Sequence, residues 1–207
     1  MNETTNNTSD LPGEIELAIW IGKSLFERGK TAGASANMSF LHGGQVYITG
    51  TGTCFGALTP NSFSTIDRSG NHLEGPPPSS EMGLHLILYD KKPKVSAIIH
   101  THSFYSVLWS CLTHPNPADV IPPWTPYLKK RLGTIGIIPY APPGSQELFR
   151  LFSERVEKSD GYLLANHGPV VGDKDLMSTF HSLEELEESA HVAWTLKNEK
   201  TAVAIQE

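Results

Sequence analysis

Apolar residues recur along this chain in two rhythms, separated by glycine- and proline-rich breaks. Ile15, Ile19, Gly22 and Phe26 fall on one helical face with Leu17, Ile21 and Leu25 beside it, which predicts an amphipathic helix ending before Gly29. The polar stretch 1–12 before it reads as a disordered tail. Gln45-Val46-Tyr47-Ile48-Thr49 has the alternation of a strand and opens into a Gly-Thr-Gly-Thr loop at 50–53. Pro76-Pro77-Pro78 then breaks the chain, and Ser79 is placed to cap a helix of about 11 residues carrying Glu81. Val95–Ile99 reads as a buried strand, and Ser103–Leu112 as a helix. The proline-rich connection 115–126 is too long for a simple turn. Ile135–Pro139 and Gly161–Ala165 read as strands separated by a helix near Gln146–Glu157. Asp173 or Ser182 opens a last acidic helix running to about Lys197. Strands and helices alternate, with hairpin-like turns near the start. The pattern predicts one domain over residues 13–207, a three-layer α/β sandwich around a central sheet.

Composition narrows the function. At 207 residues, with 39% hydrophobic content, 18 Gly and 15 Pro, the chain can bury a sizeable core and is rich in turns. A net charge of −6, with Lys129-Lys130-Arg131 as the longest basic run, offers no general attraction for nucleic acid or anionic lipid. No stretch reaches the ~18 apolar residues of a membrane span. The N-terminus lacks the basic and apolar regions of a leader, and Cys54 and Cys111 make no disulfide framework. A cytoplasmic location is expected.

Histidine supplies the candidate chemistry. In a strand the side-chain period is two, so His100 and His102 of His100-Thr101-His102 point to one face about 7 Å apart and can pinch one ion. An isolated pair of this kind is more often two polar loop residues. Phe104 stands where a nearby acid would be wanted, so further ligands must come from distant segments. Glu81 and the His167 of Asn166-His167-Gly168 would complete the one carboxylate and three imidazoles suited to a tetracoordinate zinc-type ion. Taken singly, Glu81 reads as an acid favoured by the start of a helix.

Five segments, in order, resemble the class II aldolase/adducin family: Thr31–Ser39, Ile48-Thr49-Gly50-Thr51-Gly52, Pro78-Ser79-Ser80-Glu81, His100-Thr101-His102 and Asn166-His167-Gly168. The resemblance covers about Leu17 to Leu196 and implies an α/β/α sandwich with a central mixed or antiparallel sheet. Thr53–Pro60 and Asn116–Tyr127 look like the family's branch of 3-oxo-tetronate 4-phosphate decarboxylases. The family implies Zn2+ on His100, His102 and His167, with Glu81 as resting ligand and then acid/base. It implies a substrate phosphate among Ser35, Asn37, Thr51, Gly52, Ser79 and Ser80, although Ser35-Ala36-Asn37 and Thr49-Gly50-Thr51 depart from its Ser-Gly-Asn and Thr-Pro-Thr. Tyr127 matches a proton donor reaching a neighbouring subunit's site, in a homotetramer. Arg131 matches the decarboxylase branch, where its guanidinium could hold a substrate carboxylate. His85, one turn after Glu81, reads either as a partner that orients that carboxylate or as a buried structural histidine. The implied reaction is loss of carbon dioxide from a phosphorylated sugar acid through a metal-stabilised enediolate. A ketose-phosphate aldolase is the alternative, followed by a sugar-phosphate dehydratase and a non-catalytic scaffold.

Overall fold

The computed structural model describes residues 10–205. Asp10 accepts a hydrogen bond from Gly13 N (3.1 Å) and caps α1 (Leu11–Glu27), so Leu11 and Pro12 belong to the helix rather than to a tail reaching residue 12. The face α1 buries is Ala18, Ile21, Gly22 and Leu25, rotated from the expected Ile15/Ile19/Phe26 row; Phe26 stays 38% exposed.

A meander follows: β1 (Asn37–His42), β2 (Gln45–Thr49), β3 (Phe63–Ile66) and β4 (His72–Glu74). Of these only β2 is evident from the sequence pattern. Next come α2 (Met82–Lys91), β5 (Ala97–His100), α3 (Phe104–Ser110), the short α4 (Tyr127–Arg131), β6 (Ile135–Ile138), α5 (Gln146–Ser153), β7 (Gly161–Leu164), β8 (Gly168–Asp173) and α6 (Leu176–Leu196). The eight strands form one sheet in the order β4-β3-β2-β1-β5-β8-β7-β6. Every neighbouring pair is antiparallel except β6 with β7.

Strand alternation divides the core. Met38, Phe40, Ala97, Ile99, Leu163 and Val171 point to the layer of α1, α3, α4 and α6. Val46, Ile48, Ile98, Tyr162, Leu164 and Val170 point to the opposite layer, α2 and α5. The molecule is an α/β/α sandwich around a mixed sheet, as expected.

Three corrections bear on the site. Ser79 does not cap α2: the helix begins at Met82, Glu81 takes the cap position without a side-chain capping bond, and Ser79 Oγ accepts from Glu81 N (3.3 Å). Neither Asp173 nor Ser182 opens α6; Asp175 does, accepting from Ser178 N, while Ser182 Oγ donates to Asp173 Oδ2 (3.0 Å). The proline-rich connection runs beside the edge strand, where Val120 N donates to Ile135 O (2.7 Å) and Ile137 N to Pro117 O (2.9 Å). Its length is what covering that edge requires.

Candidate active site

The histidines meet where two strand ends lie side by side. β5 ends at His100 and pairs with β8, His100 opposite Val170. The β7–β8 turn carries His167, and it closes because Asn166 adopts a left-handed conformation (φ 57°). Gly168 then lies against the preceding segment so closely that a Cβ there would sit 2.2 Å from Thr101 O. Asn-His-Gly is therefore the shape of the turn as well as the source of a ligand. Ring centroids are 5.1 Å apart for His100–His102, 4.8 Å for His100–His167 and 4.7 Å for His102–His167. One ligating atom from each histidine lies within 4.8 Å of the others.

Glu81 comes from the other direction, off the start of α2. Its Oε2 is 3.2 Å from His100 Nε2 and its Oε1 is 3.5 Å from His167 Nε2. Glu81, His100 and His167 are buried, and His102 is half-buried. Burial lowers the His100 pKa to about 3, helped by the neighbouring His102. His167 and His102 are also held below the ordinary imidazole value, chiefly by burial. His100 donates from Nδ1 to Pro169 O (2.8 Å), which leaves the Nε2 lone pair facing Glu81.

Neutral imidazole nitrogens thus face a carboxylate. Among the described residues, Glu81 Oε1, His100 Nε2 and His167 Nδ1 find no hydrogen-bond partner despite their burial. Buried imidazole and carboxylate atoms without hydrogen-bond partners are what a divalent cation satisfies. The three histidines could hold a metal ion with Glu81 beside it, and this donor set of nitrogen and carboxylate suits zinc. Glu81 does stand at the start of a helix, but its side chain makes no capping bond and turns toward His100 and His167.

The phosphate candidates gather at the same end of the sheet. Asn37 is directly opposite His100 in the β1–β5 pairing. Gly50 forms an isolated bridge with Pro78, supported by Thr51 N to Pro77 O (2.9 Å) and Ser79 N to Thr49 O (3.2 Å). Thr51, Gly52 and Ser80 are exposed there, Ser79 is buried, and Ser35 is half-buried with its Oγ donating to Ala32 O (2.6 Å). Asn37 differs from the expectation. Its Nδ2 donates to Glu81 Oε2 (3.0 Å) and its Oδ1 faces His85 Nε2 (2.6 Å), so its amide is engaged inside the protein. His85 is fully buried and meets Asn37 and Ser39 rather than Glu81 itself.

Tyr127 and Arg131 are not brought to the histidines of their own chain. Tyr127 opens α4 and is 63% exposed. Arg131 lines a groove with Lys92–Val95 and Gly172–Lys174, at the opposite ends of β5 and β8 from His100 and Gly168. The recess outside the histidines is lined instead by Phe104, Val107, Tyr140, Pro143 and Asn166. Sequence reasoning passed over Tyr140 and Phe104, which are 60% and 62% exposed; the proline-rich setting of Tyr140 was the one available signal. It also passed over Glu187, a buried acid on α6. Glu187 accepts from Tyr105 N (3.0 Å), Ser106 N (2.9 Å) and Ser106 Oγ (2.7 Å), fixing α3 just after His102.

Residues 16–194 match the family described as Class II Aldolase and Adducin N-terminal domain. The chain is 41% identical over 186 residues to a 3-oxo-tetronate 4-phosphate decarboxylase of Haemophilus influenzae, covering 89% of each protein. It is 34% identical over 182 residues to an L-fuculose phosphate aldolase of Methanococcus maripaludis, covering 88% of this chain and 97% of that one. The crystal structure of YgbL from Escherichia coli superimposes with a TM-score of 0.89 at 35% identity, covering 93% of each chain.

Proposed function

Because the chain belongs to the class II aldolase and adducin family, whose relatives here are carbon–carbon lyases by name, we propose that it is a zinc-dependent decarboxylase of a 3-oxo-tetronate 4-phosphate. The observation that carries the reading is the meeting of Glu81 with His100 and His167, His102 beside them, where Glu81 Oε1, His100 Nε2 and His167 Nδ1 are buried without hydrogen-bond partners. The decarboxylase relative, similar over nearly its whole length, supports the choice of substrate.

In this reading His100, His102 and His167 would hold the ion, with Glu81 beside it. The ion supplies positive charge where negative charge gathers on the substrate's oxygens as the carbon–carbon bond breaks. The carboxylate of a 3-oxo acid leaves as carbon dioxide, and the electron pair of the broken bond is delocalised toward the 3-oxo oxygen. One proton delivered to carbon 2 gives dihydroxyacetone phosphate. Glu81 is placed to carry that proton. Ser35, Thr51, Gly52, Ser79 and Ser80 receive the phosphate at the sheet end beside His100, whereas the Asn37 amide is already engaged by Glu81 and His85. Tyr127 and Arg131 serve the site of an adjacent subunit in a homotetramer, Tyr127 as a second proton donor and Arg131 on the substrate carboxylate. The exposure of both side chains, and the place of Arg131 at the end of the sheet away from His100, support that arrangement.

The test is a pair of assays on zinc-loaded protein: carbon dioxide release from the 3-oxo acid phosphate, and aldehyde release from a ketose 1-phosphate. Carbon dioxide release alone supports the proposal. Aldehyde release alone moves the chain to the second reading, a sugar-phosphate aldolase, which the Methanococcus relative supports.

A further inference from the structure

α2 and β1 present two rows of polar side chains to each other inside the protein. From the cap of α2 onward, Glu81, His85 and Tyr89 recur every four residues, a spacing of about 6 Å along a helix. Asn37 and Ser39 recur every two residues on β1, about 7 Å along a strand. The repeats nearly match, so each helix residue finds a strand residue. Tyr89 Oη lies 2.7 Å from Ser39 Oγ, Ser39 Oγ 2.7 Å from His85 Nδ1, His85 Nε2 2.6 Å from Asn37 Oδ1, and Asn37 Nδ2 3.0 Å from Glu81 Oε2. Ser39 and His85 are completely buried, Tyr89 is 1% exposed and Asn37 6%.

The proton positions follow from the Glu81 end. The Asn37 amide turns its NH2 to Glu81 Oε2 and its carbonyl to His85. That carbonyl requires a donor, which places the imidazole proton on Nε2. Burial, with the nearby His100, holds the His85 pKa down to about 3, so the ring is neutral and Nδ1 is an acceptor. Ser39 donates to it, and Tyr89 donates to Ser39. Every bond in the row then runs toward Glu81.

We propose that Tyr89, Ser39, His85 and Asn37 form a one-way hydrogen-bond relay in which His85 and Asn37 are positioning residues, fixing Glu81 Oε2 and leaving Oε1 free for the metal and the reacting proton. The proposal rests on the reading of Glu81 as the working carboxylate of a metal site. It gives Asn37 a role distinct from contact with the substrate phosphate. Partners that orient a ligand are worth about tenfold to a hundredfold in metal affinity or activity.

The first test uses the unaltered protein. Nitrogen-15 NMR of the metal-free and zinc-loaded forms near pH 7 should show His85 neutral with its proton on Nε2; a proton on Nδ1, or an imidazolium, overturns the relay. The second test is a double-mutant cycle on zinc affinity, measured by chelator competition, with circular dichroism as the check on folding. Asn37→Leu and His85→Leu should each weaken zinc about tenfold or more, and the double variant should be no worse than Asn37→Leu alone. Multiplying effects overturn the proposal. Ser39→Ala, the mildest change in the row, should reduce affinity in the same direction, and unchanged affinity there counts against it. In turnover, Asn37→Leu should lower kcat. A rise in KM alone would assign the amide to the substrate and overturn the relay. The NMR and zinc measurements need no substrate, so failure of both lyase assays would remove the proposed function and leave the relay to be judged on its own.

Discussion

At the scale of single residues, Glu81 is the group on which most depends. Glu81→Gln preserves shape and removes the charge, and turnover should fall by about 10²–10⁴ while circular dichroism is unchanged. Near-full activity would reduce Glu81 to a structural acid. His85 also makes a prediction about acid. In the unfolded chain it binds a proton near the ordinary pKa of ~6.5, whereas in the fold burial holds that event down to about 3. Between those values the unfolded state binds more protons, so the stabilisation is complete above ~6.5 and is lost as the pH falls toward 3. Melting temperatures of chelator-treated protein should therefore be lower at pH 5 than at pH 7.5, and a higher value at pH 5 would contradict this. Residue types, spacing and family resemblance pointed to Glu81, His100, His102 and His167, which the fold brings together. They could not show that Asn37 and Ser39 face α2, because polar residues in a strand carry no mark of the helix packed against them.

Secondary-structure elements decide how rigidly the ligands are held. α3 begins directly after the His-x-His segment, and its Ser103 cap makes no side-chain bond. Glu187 supplies the missing acceptor from α6. Glu187→Ala leaves two backbone N–H groups unanswered and should cost about 3 kcal/mol in chemical denaturation, with weaker zinc binding as His102 loosens. A loss below about 0.5 kcal/mol would mean that water replaces the carboxylate freely. The sequence pattern located the strongly apolar elements: β2 to the residue, and β5, β6 and β7 within about two residues, as boundary reading allows. It missed β1, β3, β4 and β8. β1 begins with the buried polar Asn37 and Ser39, which interrupt the apolar signal, and β4 is three exposed residues held only by pairing with β3. The cap of α6 was misplaced because Asp173, Asp175 and Ser182 are chemically equivalent candidates and β8 claims the first.

For the whole molecule, metal and assembly are the levers. A cation that binds only the folded chain stabilises it by about 2.7 kcal/mol at a hundredfold its Kd, so a chelator should lower the melting temperature and zinc should restore it; an unchanged temperature would speak against a metal site. The shared-site arrangement makes a sharper demand. Tyr127→Phe subunits and His100→Ala subunits, each inactive alone, should regain activity when mixed, because a hybrid boundary can join one intact half from each. Verified hybrids with no activity, or an active monomer, would refute sharing. The α/β/α layering was legible from alternation of elements, but the strand order was not, since local pattern says nothing about which strands become neighbours. That order also has a bearing on folding. Asn37, Glu81, His100 and His167 are separated by most of the chain, and β1, β5 and β8 must pair before the four can meet. Such contacts of long sequence separation form late and slowly. A refolding experiment that follows metal capture should therefore lag behind the recovery of helix, so the ion would serve as a clock for the closing of the sheet.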